Sequence, residues 1–78
     1  MTSVKIMLNT IEDVKSFVTI VTKCPYDVDL VSGRYAIDGK SIMGIFSLDL
    51  SKAIQANIHA DANESKEFIE EIKAYIVG

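Results

Sequence analysis

Tryptophan is absent from this chain, and cysteine, histidine and proline occur once each. A lone cysteine, Cys24, can neither close an internal disulfide nor join a thiolate cluster, which suits a reducing compartment. A lone histidine, His59, removes most zinc sites and hydrolytic triads. Positive charge is also scarce: eight Lys and Arg face eleven Asp and Glu, a formal net charge of −3. That balance opposes direct binding to a nucleic-acid backbone. No run approaches the ~20 apolar residues needed to cross a bilayer. Met1-Thr2-Ser3-Val4-Lys5 lacks the basic-then-apolar layout of a secretion signal. The expectation is a cytoplasmic protein with no cofactor, no metal, no membrane contact and no nucleic acid.

What the chain does have is apolar content, 49% of 78 residues. Fixing each residue costs about 1.5 kcal/mol in conformational entropy, so that content must be gathered into one core. A single domain over residues 1–78 is expected.

Periodicity divides the chain. Val4 through Leu8 alternates enough to read as a strand. Thr10, followed three residues later by Asp13, is a helix N-cap signal. Ile11, Val14, Phe17, Val18 and Val21 then fall on one helical face, and Lys23-Cys24-Pro25 ends it. Val28 and Leu30 alternate with Asp27 and Asp29, Ser32-Gly33 turns the chain, and Tyr35-Ala36-Ile37 returns. Ser41 through Leu50 reads as a second helix capped by Ser41. Ile54, Ala56, Ile58 and Ala60 alternate with Gln55, Asn57 and His59, a strand with one wet face. Asn63 is the expected cap of a last helix whose buried stripe is Phe68, Ile69, Ile72, Tyr75 and Ile76. The order βαββαβα predicts an α+β open-faced β-sandwich.

The run Lys40-Ser41-Ile42-Met43-Gly44-Ile45-Phe46-Ser47-Leu48 resembles the regulatory-serine segment of the histidine-containing phosphocarrier (HPr) family of the bacterial sugar phosphotransferase system. Val28, Leu30 and Ile37 fit that family's second and third strands, and Asn63-Glu64 the start of its last helix. The resemblance implies a four-stranded antiparallel sheet with three helices on one face. It further implies phosphorylation at Ser41 by an HPr-type serine kinase, with partner contacts at Lys40, Ile42, Met43 and Phe46.

The family's carrier motif is Gly-Leu-His-Ala-Arg-Pro-Ala. Counting back from Phe17-Val18 places its histidine at Thr10, its phosphate-binding arginine at Glu12 and its proline at Asp13. Threonine has no nitrogen to form a phosphoramidate. Glu12 and Asp13 suit a helix N-terminus but repel a phosphoryl donor. The resemblance therefore points to a relative of the histidine-less members that act in catabolite repression. It implies a protein without a catalytic site, whose partners are a kinase, a transcriptional regulator or sugar-uptake components. The alternative is an atypical carrier using His59 or Thr10. Cys24 reads as a packing residue, and Glu64, Glu67, Glu70 and Glu71 as a solvated helix face.

Overall fold

The computed structural model describes residues 1–77. Four strands, β1 (Thr2–Ile6), β2 (Val28–Ser32), β3 (Tyr35–Asp38) and β4 (Ile54–Ile58), form one antiparallel sheet in the order β1-β4-β2-β3. Three α-helices, α1 (Ile11–Lys23), α2 (Ile42–Phe46) and α3 (Lys66–Glu71), are followed by a 3₁₀ turn at Lys73–Tyr75. The α+β open-faced architecture read from periodicity is the one observed.

Alternation decides which face the helices cover. Ile6, Val28, Leu30, Ile54, Ala56 and Ile58 are buried, joined by Val14, Phe17 and Val21 of α1, Ile45 of α2, and Phe68 and Ile72 of the last helical stretch. The opposite face carries Ser3, Lys5, Gln55, Asn57 and Asp29, which remain exposed or half-buried. The rings of Phe17 and Tyr75 meet edge-to-face at 6.3 Å, and those of Tyr26 and Phe68 at 6.0 Å. These contacts tie the C-terminal helical layer to α1 and the start of β2.

The β2–β3 hairpin closes through Gly33-Arg34, with Ser32 opposite Tyr35. Gly33 has φ +60 and no other described residue has positive φ, the pattern of a type II′ turn with glycine at its first central position.

Four expected details are corrected. β1 runs Thr2–Ile6 rather than Val4–Leu8, because its partner β4 begins at Ile54, opposite Ile6. Leu8 is nevertheless buried beyond the strand, and the Met7 N–H donates to the Tyr75 carbonyl at 2.8 Å. Ile11, assigned to the apolar stripe of α1, is 61% exposed. It is the first helical residue, and helical side chains lean toward the N-terminus, so it overhangs the end of the core.

The second helix stops at Phe46 rather than Leu50. The Ser47 hydroxyl donates to the Gly44 carbonyl at 2.6 Å, and Asp49 draws the chain into a turn by accepting from the Ser51 N–H. Such local side-chain bonds compete with helix continuation.

Asn63 is not the last cap. The Asp61 carboxylate accepts from the Glu64 N–H at 2.7 Å, while Glu64 accepts in return from the Asp61 N–H at 3.4 Å. This reciprocal pair closes the turn ahead of α3, whose N-cap, Ser65, makes no side-chain capping bond. The helix ends at Glu71, so Tyr75 and Ile76 of the expected helical stripe lie half-buried beyond it, in the 3₁₀ turn and the bridge to Ile6. Ser65, the one buried polar residue described, is satisfied by donating its hydroxyl to the Asp61 carbonyl at 2.8 Å.

Candidate functional site

Ser41 lies in the link between β3 and α2. The Asp38 carbonyl accepts from the Ser41 N–H at 2.9 Å, and the Asp38 carboxylate from the Lys40 N–H at 2.9 Å, which pins the approach to the helix. The Ser41 hydroxyl then caps α2 by accepting from the Gly44 N–H at 3.2 Å. The side chain remains exposed. Gly44 is needed for this arrangement: a Cβ there would stand 2.9 Å from Ser41 Oγ and 3.2 Å from Ile37 Cδ1. No acidic residue occupies the first turn of α2.

With only five residues, α2 cannot bury its whole circumference. Ile45 is fully buried and Ile42 is half-buried against the core. Met43 is 77% exposed and Phe46 40% exposed. The sequence-derived patch thus divides: Met43 and Phe46 face solvent, Lys40 is exposed beside them, and Ile42 shares its surface with the core. Ile11 is a third large exposed apolar side chain, on the neighbouring helix, and the helical stripe concealed it.

Thr10 caps α1, accepting from the Asp13 N–H at 3.0 Å. Asp13 in turn accepts from the Asn9 N–H at 3.0 Å. Glu12 and Asp13 therefore place two carboxylates in the first turn of a 13-residue helix, complementing its positive end. Glu12 lies 4.0 Å from Lys15 across the surface. Nothing cationic stands in that turn to hold a phosphoryl group; it is occupied by anions.

His59 lies just beyond β4. Its N–H donates to the Asp27 carbonyl at 2.9 Å, and its Nε2 lies 2.6 Å from Asp29 Oδ2 on the neighbouring strand. The register places His59 diagonally across from Asp29, a contact that only strand pairing could reveal. Asp29 is itself directly opposite Asp38. The His59 ring is thus paired with one carboxylate, that of Asp29, and none of its contacts is with Ser41 or Thr10. Among the described residues, no three His, Cys, Asp or Glu side chains converge as a metal site.

Cys24 is half-buried at the end of α1, its thiol donating toward the Val21 and Tyr26 carbonyls at 3.1 and 3.2 Å. Tyr26 beside it has its phenol pushed above the usual value, chiefly by burial and then by the charges of Cys24, Glu64, Glu67 and Glu71. No described helix is long and apolar enough to cross a membrane.

Two crystal structures share the fold. HPr-C-His from Thermoanaerobacter tengcongensis matches with a TM-score of 0.73 and 22% identity, covering 95% of this chain and 93% of that one. Phosphocarrier protein HPr from Bacillus anthracis str. Ames matches with a TM-score of 0.70 and 19% identity, covering 97% and 96%. No curated protein sequence matches the chain. The family model described as the PTS HPr component phosphorylation site matches residues 13–77, beginning just after Thr10 and Glu12. By that match, over most of its length, the chain belongs to the HPr family of the phosphotransferase system.

Proposed function

We propose that this HPr-family protein is a regulatory module rather than a histidine carrier. In this reading an ATP-dependent serine kinase phosphorylates Ser41, and the modified serine changes which cytoplasmic partner docks on Lys40, Ile42, Met43 and Phe46. Partners of that kind are transcriptional regulators and sugar-uptake components, in control of carbon use. The observation that carries the reading is the exposed Ser41 hydroxyl beside the solvent-facing Met43 and Phe46. A phosphate there would add about two negative charges and three acceptor oxygens at the edge of an apolar surface. The acidic first turn of α1 supports the other half of the proposal, since Thr10 and Glu12 offer neither a nitrogen nucleophile nor a cation.

One observation favours an alternative acceptor. Asp29 engages His59 Nε2, which leaves Nδ1 as the free ring nitrogen. In that reading His59 takes the phosphoryl group. Against it stands the Asp29 carboxylate, with no basic side chain paired to the ring among the described residues. Thr10 as an acceptor meets the same objection from Glu12 and Asp13.

Mass spectrometry after two parallel reactions separates these readings. One reaction supplies ATP and an HPr serine kinase; the other supplies phosphoenolpyruvate and the first enzyme of the phosphotransferase system. Phosphate on Ser41 in the first and none in the second is the expected result. Phosphate on His59 or Thr10 in the second would make the protein a carrier. An unmodified Ser41, with partner binding indifferent to Met43→Ala and Phe46→Ala, would remove the regulatory reading.

A further inference from the structure

A groove that Ser41 does not line lies where the β2–β3 turn approaches the segment joining α2 to β4. It has a volume of about 720 Å³. Three parts of the chain supply its cations: Lys5 from β1, Arg34 from the hairpin turn and Lys52 from the α2–β4 segment. Charge is sorted unevenly around it. Three of the eight basic residues line this groove and only one of the eleven acidic ones does, leaving five basic against ten acidic elsewhere. A region of positive potential on an otherwise acidic protein concentrates anions from solution.

The cations are available. The two ion pairs among the described residues are Lys15–Glu12 and His59–Asp29, and neither involves the groove. The single carboxylate, Asp49, is turned into its own loop, where it accepts from the N–H and hydroxyl of Ser51. Those bonds hold it below the usual carboxylate range, with Lys52 adding a smaller effect. Tyr35, 71% exposed, lines the same groove, and Ser32 and Gln55 contribute neutral polar groups.

We infer that this groove binds a small phosphorylated metabolite, the phosphate held by Lys5, Arg34 and Lys52 and a sugar or base ring lying against Tyr35. Arginine and lysine from separate elements recognise a dianionic phosphate by charge-assisted hydrogen bonds. An exposed tyrosine supplies a flat apolar surface for a ring. The volume lies within the range of small-ligand sites. The inference is independent of Ser41 phosphorylation and of any docking at Met43 and Phe46.

Amide-resolved NMR titration of the full chain tests it, with inorganic phosphate, ribose 5-phosphate, AMP and citrate as probes. Saturable shifts are expected on Gly33, Arg34 and Tyr35 and on residues 49–53. Both ring phosphates should bind more tightly than inorganic phosphate or citrate; the better of the two identifies the ring as sugar or base. Lys5→Ala, Arg34→Ala and Lys52→Ala should each weaken ring-phosphate binding by about tenfold. Tyr35→Ala should weaken the ring phosphates and leave inorganic phosphate unchanged. All four positions are exposed, so an unaltered melting temperature confirms the fold of each variant. Shifts that fail to saturate, or that centre on Lys15 or Lys66, would overturn the inference. So would citrate binding as tightly as the ring phosphates.

Discussion

Under the proposed regulatory reading, building a carrier site at the start of α1 asks two substitutions to act together. Thr10→His supplies the nucleophile but removes the cap, whose oxygen accepts from the Asp13 N–H at 3.0 Å. Losing such a cap costs about 1 kcal/mol. Glu12→Arg exchanges a favourable charge in the first turn for an unfavourable one, at about another 1 kcal/mol. The Glu12–Lys15 pair adds at most a few tenths, because its side chains are 83% and 58% exposed. A combined loss of about 2 kcal/mol lowers the melting temperature of a domain this size by roughly 8–16 °C, leaving it folded if its stability is ordinary.

The gain is electrostatic. Reversing one unit of charge about 6 Å from a doubly charged phosphoryl group is worth about 3 kcal/mol in a water-like dielectric. Physiological salt reduces that by roughly half, leaving about tenfold in rate. The assay is acid-labile label from phosphoenolpyruvate and the first enzyme of the system, alongside thermal melting. Thr10→His should fold but transfer at least about tenfold more slowly than Thr10→His/Glu12→Arg. If the single variant transfers as fast as the double, Glu12 is not the obstacle and the electrostatic objection to a carrier role fails.

Two further perturbations test how the fold supports these surfaces. Gly39→Ala brings a Cβ to 2.9 Å from the Val28 carbonyl oxygen, which also accepts the Gly39 N–H at 2.7 Å. Backbone cannot yield as a side chain can, so chemical denaturation should show a loss of about 1–3 kcal/mol. Tyr26→Phe isolates the raised phenol: burial favours its neutral form in the fold, so its contribution is complete below pH 10.0 and disappears as pH rises through the folded-state pKa. Denaturation midpoints measured from neutral pH upward should fall more steeply for the parent chain than for Tyr26→Phe. Equal slopes would refute that assignment.

Much of this molecule is legible as pattern. The alternation from Ile54 to Ala60 fixes which side of β4 is buried, and Thr10 and Ser41 announce two helix starts by hydroxyls three residues before the N–H they receive. The misreadings share one physical source, the ends of elements. Ile11 satisfies helical spacing yet stands past the core, and Ser47 and Asp49 stop α2 through bonds that spacing does not encode. Asp61 and Glu64 close the turn ahead of α3, where spacing points to Asn63 as a cap. At the candidate site, Met43 and Phe46 were singled out through the family resemblance, and the five residues of α2 leave both exposed. The approach of His59 to Asp29 depends on strand register, and the groove of Lys5, Arg34 and Lys52 on three segments distant in sequence.

The closure of β1 sets an order of events for the growing chain. On one side β1 pairs only with β4, and on the other Ile6 bridges Ile76 while the Val77 N–H donates to the Lys5 carbonyl at 2.8 Å. Every lasting partner of the first strand is therefore synthesised dozens of residues later. The β2–β3 hairpin can close locally while β1 waits, because β4 must arrive between β1 and β2 before the sheet is continuous. Such long-range pairings slow folding. On a ribosome, the first strand would emerge with both edges open and find its second neighbour only when residues 75–77 leave the exit tunnel.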